Sequence, residues 1–334
     1  MESTIRLSHG SGKGLAALLA EVVIPALNIE SDAPMEDAAV LTDLDGSVAF
    51  TTDSFVVQPL EFPGGDIGKL AACGTINDLA MMGAVPKYLS VSLICEEGLE
   101  MDRLKQILNS LKTVCEEQNV QIVCGDTKVV DRGHGDGVFI NTTGIGVIRP
   151  NCSLSAGNAK DGDVVLVSGP IGLHGVTILA QRQNLGFASS AISDCAPLDE
   201  LSRLILDAAP DTRVLRDATR GGCAAVLNEI ADSSKVTIEC MKADIPVPKV
   251  VESACDYLGM DPLHIANEGR FIAVVPASQA KAALAALHSH PLGQGAAQIG
   301  TVAARQRFGV TLETEIGGVR PVEIPPGRLL PRIC

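Results

Sequence analysis

The chain has 334 residues, of which 46% are hydrophobic, and a formal net charge of −14 at pH 7. This length suggests two domains of roughly 150 residues each, and the hydrophobic content excludes a disordered chain. The negative charge argues against nucleic acid or an anionic membrane as the main partner.

The first part of the chain mixes helical and strand patterns. Asp45-Gly46 joins two apolar runs, which predicts a hairpin. A helix is predicted from Asp66 through GGDIGKLAACGTINDLAMMGA, and Gly74 inside it suggests close backbone packing. The segment KYLSVSLIC predicts a strand, residues 101–115 predict an amphipathic helix, and VQIVCGDTKVV and VFINTTGIGVI predict two more strands.

Composition changes at RPNCSLSAGNAKDGD, which predicts a boundary between domains 1–150 and 151–316, with a mobile tail at 317–334. The second part again mixes elements. Strands are predicted at DVVLVSG, VTIEC, FIAVV, 298–302 and 308–314, and helices near 172–183 and 199–209, after RDATRGG, and near 278–288. Because strands and helices do not alternate strictly, an α+β fold is favoured over a doubly wound sheet.

The ten cysteines are scattered and include no CxxC pair, which gives poor support to a zinc or thioredoxin-like site. No run reaches the length of about 18 apolar residues needed to span a membrane. The early apolar stretch GLAALLAEVVIPAL is interrupted by Glu21 and is unlike a signal peptide. These features predict a cytoplasmic protein with reduced thiols.

Two kinds of residue suggest nucleotide chemistry. SHGSGKG lacks P-loop spacing, since Leu7 and Gly14 stand where Gly and Ser or Thr are needed. Backbone N–H groups around Gly12 and Gly14 can still hold phosphate, and a flexible loop is the alternative. Four acidic residues lie beside strand ends or turns: Asp37, Asp53, Asp78 and Asp126. Together they suggest Mg²⁺ shared with ATP, although each alone is also explained as a cap or turn residue.

Two further motifs are candidate site elements. RDATRGG places Asp217 and Thr219 before a glycine pair that permits close approach of a ligand, and a tight loop with an N-cap is the alternative. HIANEGR contains Glu268, a candidate general base if it is partly desolvated, with a surface turn as the alternative. The chain ends in GRLLPRIC, so that Cys334 cannot rely on a surrounding core.

Seven of these stretches occur in the order found in the HypE family of hydrogenase maturation proteins, and the chain resembles that family over nearly its whole length. They are HGSGKG, TTDSFVV, GGDIGKLAACGTINDLAMMGA, CGDTKVV, DATRGG, NEGR and PRIC. The long segment and PRIC are the specific parts. One departure is Lys13, which stands where the family usually has glycine.

The resemblance implies the PurM-like fold of aminoimidazole ribonucleotide synthetase, with two α/β domains. It implies a homodimer in which N-terminal strands form a shared β-barrel. ATP and Mg²⁺ are expected on the acidic residues of the first domain, together with Asn77 beside Asp78, with Asp217 and Thr219 contributing from the second domain.

The resemblance also implies a function for Cys334. A carbamoyltransferase partner, HypF, loads a carbamoyl group onto its sulfur, and ATP-dependent dehydration yields a thiocyanate. The cyano group then passes to iron on a HypC–HypD scaffold for nickel–iron hydrogenase. Glu268 is the expected base, and Lys128 is expected to offset phosphoryl charge and share in proton handling, with a structural salt bridge as its alternative.

The tail length is compatible with this cycle. The stretch from Gly318 to Cys334 can reach about 50 Å at roughly 3.1 Å per residue, far enough to present the sulfur outside and then return it to the ATP site. A selenophosphate synthetase is a rival reading, but that chemistry usually needs a cysteine in the N-terminal loop, and none precedes Cys73. A non-catalytic thiol carrier is the other rival.

Overall fold

The computed structural model describes residues 4–10, 12–28, 41, 44–183, 191–324 and 332–334. These residues form a four-stranded sheet, a seven-stranded sheet and a small two-stranded ribbon, with helices packed on both larger sheets. The predicted α+β class is confirmed. Among the described residues, no helix is long and apolar enough to cross a bilayer.

The four-stranded sheet belongs to the first half of the chain. Its elements are α1 Gly12–Leu18, a π-helical turn Leu19–Val23, α2 Ile24–Leu27, β1 Val48–Phe55, β2 Glu61–Phe62, β3 Gly65–Asp66, α3 Ile67–Met81, β4 Ala84–Glu96, α4 Met101–Glu117, β5 Gln121–Val130 and β6 Val138–Ile148. The strand order is β1-β6-β4-β5. Only β4 and β5 in this sheet are parallel, and α4 makes the crossover that a parallel pair requires.

Helix α3 lies between the two halves of the molecule. It begins as predicted, because the Asp66 side chain accepts a hydrogen bond from the Lys69 N–H at 2.8 Å and caps the helix. Nearly all of its residues are buried, as expected for a helix that is apolar on every side. The predicted close packing at Gly74 is confirmed, since a Cβ there would lie 2.9 Å from the Phe55 ring.

The seven-stranded sheet belongs to the second half. Its elements are β7 Val164–Val167, α5 Leu173–Gln183, α6 Asp199–Ala208, β8 Val214–Asp217, α7 Gly222–Ser234, β9 Val236–Met241, α8 Lys249–Leu258, β10 Phe271–Val275, α9 Ala280–His288, β11 Ala297–Ala304, β12 Val310–Glu313 and β13 Val319–Pro321. The order is β13-β12-β9-β11-β7-β10-β8. Both faces are covered: Val165 and Val167 pack with α7, whereas Val164 and Leu166 pack with α6 and α9.

The structure differs from the sequence predictions in several places. β8 and α8 were not predicted, and β13 lies inside the predicted mobile tail, where it pairs with β12. Ordered structure in the second half therefore extends at least to Pro321. The first arm of the predicted hairpin before Asp45-Gly46 lies mostly outside the described residues.

Candidate active site

Acidic side chains from both halves of the chain meet beside α3. Asp53 comes from β1, Asp78 from α3, Asp217 from the end of β8, and Glu268 from the segment before β10. Their charges interact, since Asp53 and Asp217 both act on Glu268, and Asp78 and Asp53 both act on Asp217. The site therefore combines residues that are distant in sequence.

Burial is the main reason why these carboxyl groups hold their protons tightly. It raises the pKa of Asp53 and of Asp78. It raises the pKa of Asp217 to about 7, with Asp78 as the next cause. Glu268 is buried most deeply, and its pKa lies well above the ordinary value. A cation entering among these carboxylates would relieve both the desolvation and the mutual repulsion.

The NEGR motif forms a rigid frame around Glu268. The Asn267 side chain accepts a hydrogen bond from the Gly172 N–H at 2.6 Å. Gly269 is required because a Cβ there would lie 1.9 Å from the Asp194 carbonyl oxygen. Within the described residues, Oε1 of Glu268 is buried and has no hydrogen-bond partner. An unpaired buried oxygen is costly, so it indicates a place for a group outside the folded chain.

The sulfur of Cys334 lies at this group of residues. Its Sγ is 3.8 Å from Nη2 of Arg220, and the Cys334 main-chain oxygen accepts a hydrogen bond from the Val56 N–H at 3.1 Å. Burial raises the pKa of the Cys334 thiol to about 11, and Glu268 raises it further, whereas Arg220 opposes the shift. In this position the sulfur is a neutral thiol at physiological pH.

Two neighbouring residues hold the end of the tail in place. The Ile333 side chain is only 3% exposed and packs in the core of the first half. A guanidinium nitrogen of Arg332 lies 2.6 Å from the Asp136 carboxylate, and its Nε donates to the Val56 carbonyl at 3.2 Å. We call residues 332–334 in this arrangement the docked tail.

Asp126 and Lys128 lie apart from the acidic group. Pairing across the sheet places Gly125 in the same row as Asp53, so the next residue, Asp126, points to the opposite face. There both carboxylate oxygens of Asp126 accept hydrogen bonds from Nζ of Lys128, at 2.5 and 2.6 Å. This bond lowers the pKa of Asp126. Within one chain, Asp126 is therefore not brought together with Asp53 and Asp78.

Other predicted site residues have structural contacts. The Asn77 side chain accepts a hydrogen bond from the Leu198 N–H at 2.7 Å and is buried among backbone groups, so it fixes the loop near the site. A Cβ at Gly14 would lie 1.9 Å from the Ser8 carbonyl oxygen, which gives this glycine a packing role. Asp37 lies outside the described residues.

Gly12 is the first residue of α1. The Thr219 carbonyl accepts a hydrogen bond from the Gly222 N–H at 2.9 Å, in the turn that leads into α7. Among the residues that the structure describes, no cluster of three or more His, Cys, Asp or Glu side chains is arranged to hold a metal ion.

Sequence reasoning did not assign Arg220 to the site. Its guanidinium lies close to Cys334 and interacts with Asp53 and Glu268. A cation between Asp217 and a glycine pair in RDATRGG was the available signal. The structure adds the information that this cation faces the sulfur.

Known proteins match the whole chain. The family models for the N-terminal and C-terminal domains of AIR synthase related protein match residues 35–148 and 160–313. Carbamoyl dehydratase HypE of Azotobacter vinelandii is 47% identical over 332 residues, which cover 99% of this chain and 97% of that protein. The chain belongs to the HypE family. This confirms the family and the PurM-like fold that the sequence motifs implied.

Solved structures of HypE agree with this assignment. A crystal structure of hydrogenase maturation protein HypE in complex with ATP is 45% identical and has a TM-score of 0.92, with 98% of this chain and 99% of that chain covered. A HypE chain from a HypE–HypF complex is 46% identical, with a TM-score of 0.81, and the match covers 92% of this chain and all of that one. The HypE fold therefore extends over nearly the full length.

Proposed function

We propose that this chain dehydrates a carbamoyl group carried on the Cys334 sulfur to a thiocyanate at the expense of ATP, and so supplies the cyanide ligand for nickel–iron hydrogenase. The observation that carries the proposal is the position of that sulfur. It lies 3.8 Å from the Arg220 guanidinium and interacts with the buried Glu268. Membership of a family whose relatives are carbamoyl dehydratases supports the same reaction.

The reaction removes one oxygen and two protons from the carbamoyl group. ATP supplies the phosphoryl group that turns the carbamoyl oxygen into a leaving group, and this oxygen departs with phosphate as the C≡N bond forms. Arg220 is a cation beside the sulfur and is suited to hold the carbamoyl oxygen while negative charge develops on it. The partly buried position of Cys334 limits the access of water that would otherwise hydrolyse the activated group.

Glu268 is our proposed base for the nitrogen protons. Its unpaired Oε1 is available to a group carried on the docked tail. Burial raises the pKa of Glu268, and a base must be ionised before it can accept a proton from the carbamoyl nitrogen. We therefore expect the dehydration rate to rise with pH as Glu268 ionises.

Asp53 and Asp78 are our proposed ligands for Mg²⁺, with Asp217 and Thr219 nearby for ATP. Carboxylate oxygens are the donors that Mg²⁺ prefers, and Mg²⁺ bound with a nucleotide commonly uses one or two carboxylates together with phosphates and water. Such a site needs no third protein ligand. The charge of Mg²⁺ would also relieve the raised pKa values of these carboxyl groups.

We further propose a homodimer formed through the outer face of the four-stranded sheet, the face opposite α3. This face carries exposed Phe50, Val48 and Ile94 together with Asp126 and Lys128. Two such faces can close into a shared barrel, which would cover the apolar side chains. In that arrangement Asp126 and Lys128 are available to act on the partner's site, consistent with their expected catalytic and nucleotide-binding roles.

HypF is the proposed carbamoyl donor, because a similar HypE chain was crystallised in complex with HypF. A HypC–HypD iron scaffold is the proposed acceptor of the cyano group. The three predicted segments, 1–150, 151–316 and 317–334, are our proposed functional units, although β13 ties the start of the last segment to the second sheet.

Intact mass spectrometry tests the reaction. After incubation with the transferase, carbamoyl phosphate and ATP, we expect a carbamoyl adduct on Cys334 that then loses one water. Glu268→Gln should accept the carbamoyl group and bind ATP but lose water at least about 100-fold more slowly. Glu116→Gln, at an exposed position on α4, is the control. Unimpaired water loss in Glu268→Gln would remove Glu268 as the base, and an adduct on Cys334→Ser would overturn the proposed carrier.

A further inference from the structure

His174 contacts the docked tail from inside the core. It lies near the start of α5 and is fully buried. Its Nε2 is 2.8 Å from the Ile333 main-chain oxygen, and its Nδ1 is 2.8 Å from Oγ of Ser193. Phe62 packs edge-on against the ring at a centroid distance of 5.4 Å. One imidazole thus connects the loop at residues 191–198 with the end of the tail.

The hydrogen-bond partners assign the protons on this ring. A carbonyl oxygen can only accept, so Nε2 must carry the hydrogen that is donated to Ile333. The Ser193 oxygen accepts a hydrogen bond from the Cys195 N–H at 3.1 Å, which leaves the Ser193 hydroxyl hydrogen to be donated to Nδ1. Both ring nitrogens are then satisfied in a neutral imidazole. Burial also lowers the pKa of His174 and favours this neutral form.

We propose that His174 is a positioning residue that sets the register of the docked tail and thereby places the Cys334 sulfur beside Arg220 and Glu268. The buried Ile333 side chain gives the tail affinity, but burial of apolar surface has no preferred direction. The hydrogen bond to the Ile333 carbonyl is directional and lies one residue from the sulfur.

Departure of the tail would replace the directional hydrogen bond from the Nε2–H of His174 to the Ile333 carbonyl by one to water, at a modest net cost in free energy. His174 therefore also favours the return of the tail after loading. This inference rests on the proposed function only for the reason why the tail docks, namely to bring the Cys334 sulfur to the site. The contacts themselves require neither ATP nor a carbamoyl group.

Alkylation of Cys334 by iodoacetamide measures the docked fraction in the full chain. The docked sulfur belongs to a partly buried neutral thiol, so its alkylation rate relative to that of a free peptide of sequence LLPRIC gives a protection factor. His174→Phe should lower this factor about tenfold, as expected for the loss of one hydrogen bond. His174→Gln keeps a donor near the position of Nε2 and should restore most of the protection.

His288→Phe is the matched control. His288 Nε2 makes the same kind of contact, 2.8 Å from the Ala296 main-chain oxygen, away from the tail, and its loss should leave the protection of Cys334 unchanged. Unchanged protection in a folded His174→Phe, or an equal loss in His288→Phe, would overturn the proposal.

If His174→Phe does not fold, proton-detected NMR of the histidine ring decides. The Nε2–H of His174 should exchange slowly in the full chain and quickly in a chain lacking residues 332–334, and an unchanged signal would overturn the proposal. Because no step of these measurements uses ATP, a failed dehydration assay with the expected protection pattern would refute the proposed function and leave the role of His174 standing.

Discussion

Replacing Ile333 with alanine should release the docked tail without disturbing the rest of the fold. The side chain is 3% exposed, and the change removes three carbon atoms from this environment. At about 0.8 kcal/mol for each buried CH₂ group, the loss is about 2.4 kcal/mol. Because the shortened tail can leave its site, no cavity has to persist in the folded protein. The transfer free energy alone therefore sets the size of the effect on docking. The ratio of docked to undocked tail should fall about 50-fold.

Hydrogen exchange at the Val56 amide measures this ratio, because that N–H donates to the Cys334 main-chain oxygen. We expect exchange at Val56 to become about 50-fold faster in Ile333→Ala. Ile324→Ala is the control, since Ile324 is an exposed apolar residue within 317–334 but outside the docked tail. Exchange in Ile333→Ala within about threefold of the unmodified chain, or an equal effect of Ile324→Ala, would refute burial of Ile333 as the source of docking.

Three other predictions concern the body of the protein. A Cβ at Gly68 would lie 2.0 Å from the Ile107 carbonyl oxygen, so Gly68→Ala should lower the free energy of unfolding, measured in urea, by about 3 kcal/mol. In the control Gly157→Ala, the nearest atom to the new Cβ is 3.6 Å away, and the free energy of unfolding should change little. Equal effects of the two substitutions would contradict the packing argument. The folded-state pKa of Asp217 is raised from 3.8 to about 7, so the native chain retains a proton that the unfolded chain loses, and stability should fall as pH rises through this range. Asp217→Asn should reduce that fall in the free energy of unfolding by up to about 4 kcal/mol. If the urea midpoint changed equally between pH 5 and pH 8 in Asp217→Asn and in the unmodified protein, the buried acid would be contradicted. Phe50→Asp places a charge on the outer sheet face and should shift sedimentation toward the monomer, whereas an unaltered dimer would exclude that face as the interface.

Much of the fold follows from local sequence. Asp66 caps α3 and could be recognised as the start of a helix, and the spacing of apolar residues predicted α4. β8 has only four residues, too few to show a period. Asp126 was recognised as an acid in a strand, but its face depends on the pairing of β5 with β4, and strand register is set by partners that are distant in the chain.

The candidate site was predictable only where its residues stand in local motifs. Glu268 stands in a motif whose neighbours, Asn267 and Gly269, frame it locally. Arg220 and His174 act through contacts with tail residues that lie 114 and 159 positions further along the chain, respectively. A single histidine between glycine and leucine carries no periodic signal, so its role emerges only when the chain is folded.

The docked tail makes the reacting sulfur part of the same molecule as the residues around it. Encounter between them is therefore unimolecular, and its equilibrium does not change when the protein is diluted. A carbamoylated thiol on another protein would have to compete with this tethered one at its own much lower concentration. Selectivity for the correct thiol thus comes from covalent connectivity, and each copy of the protein processes one cargo group between successive reloadings.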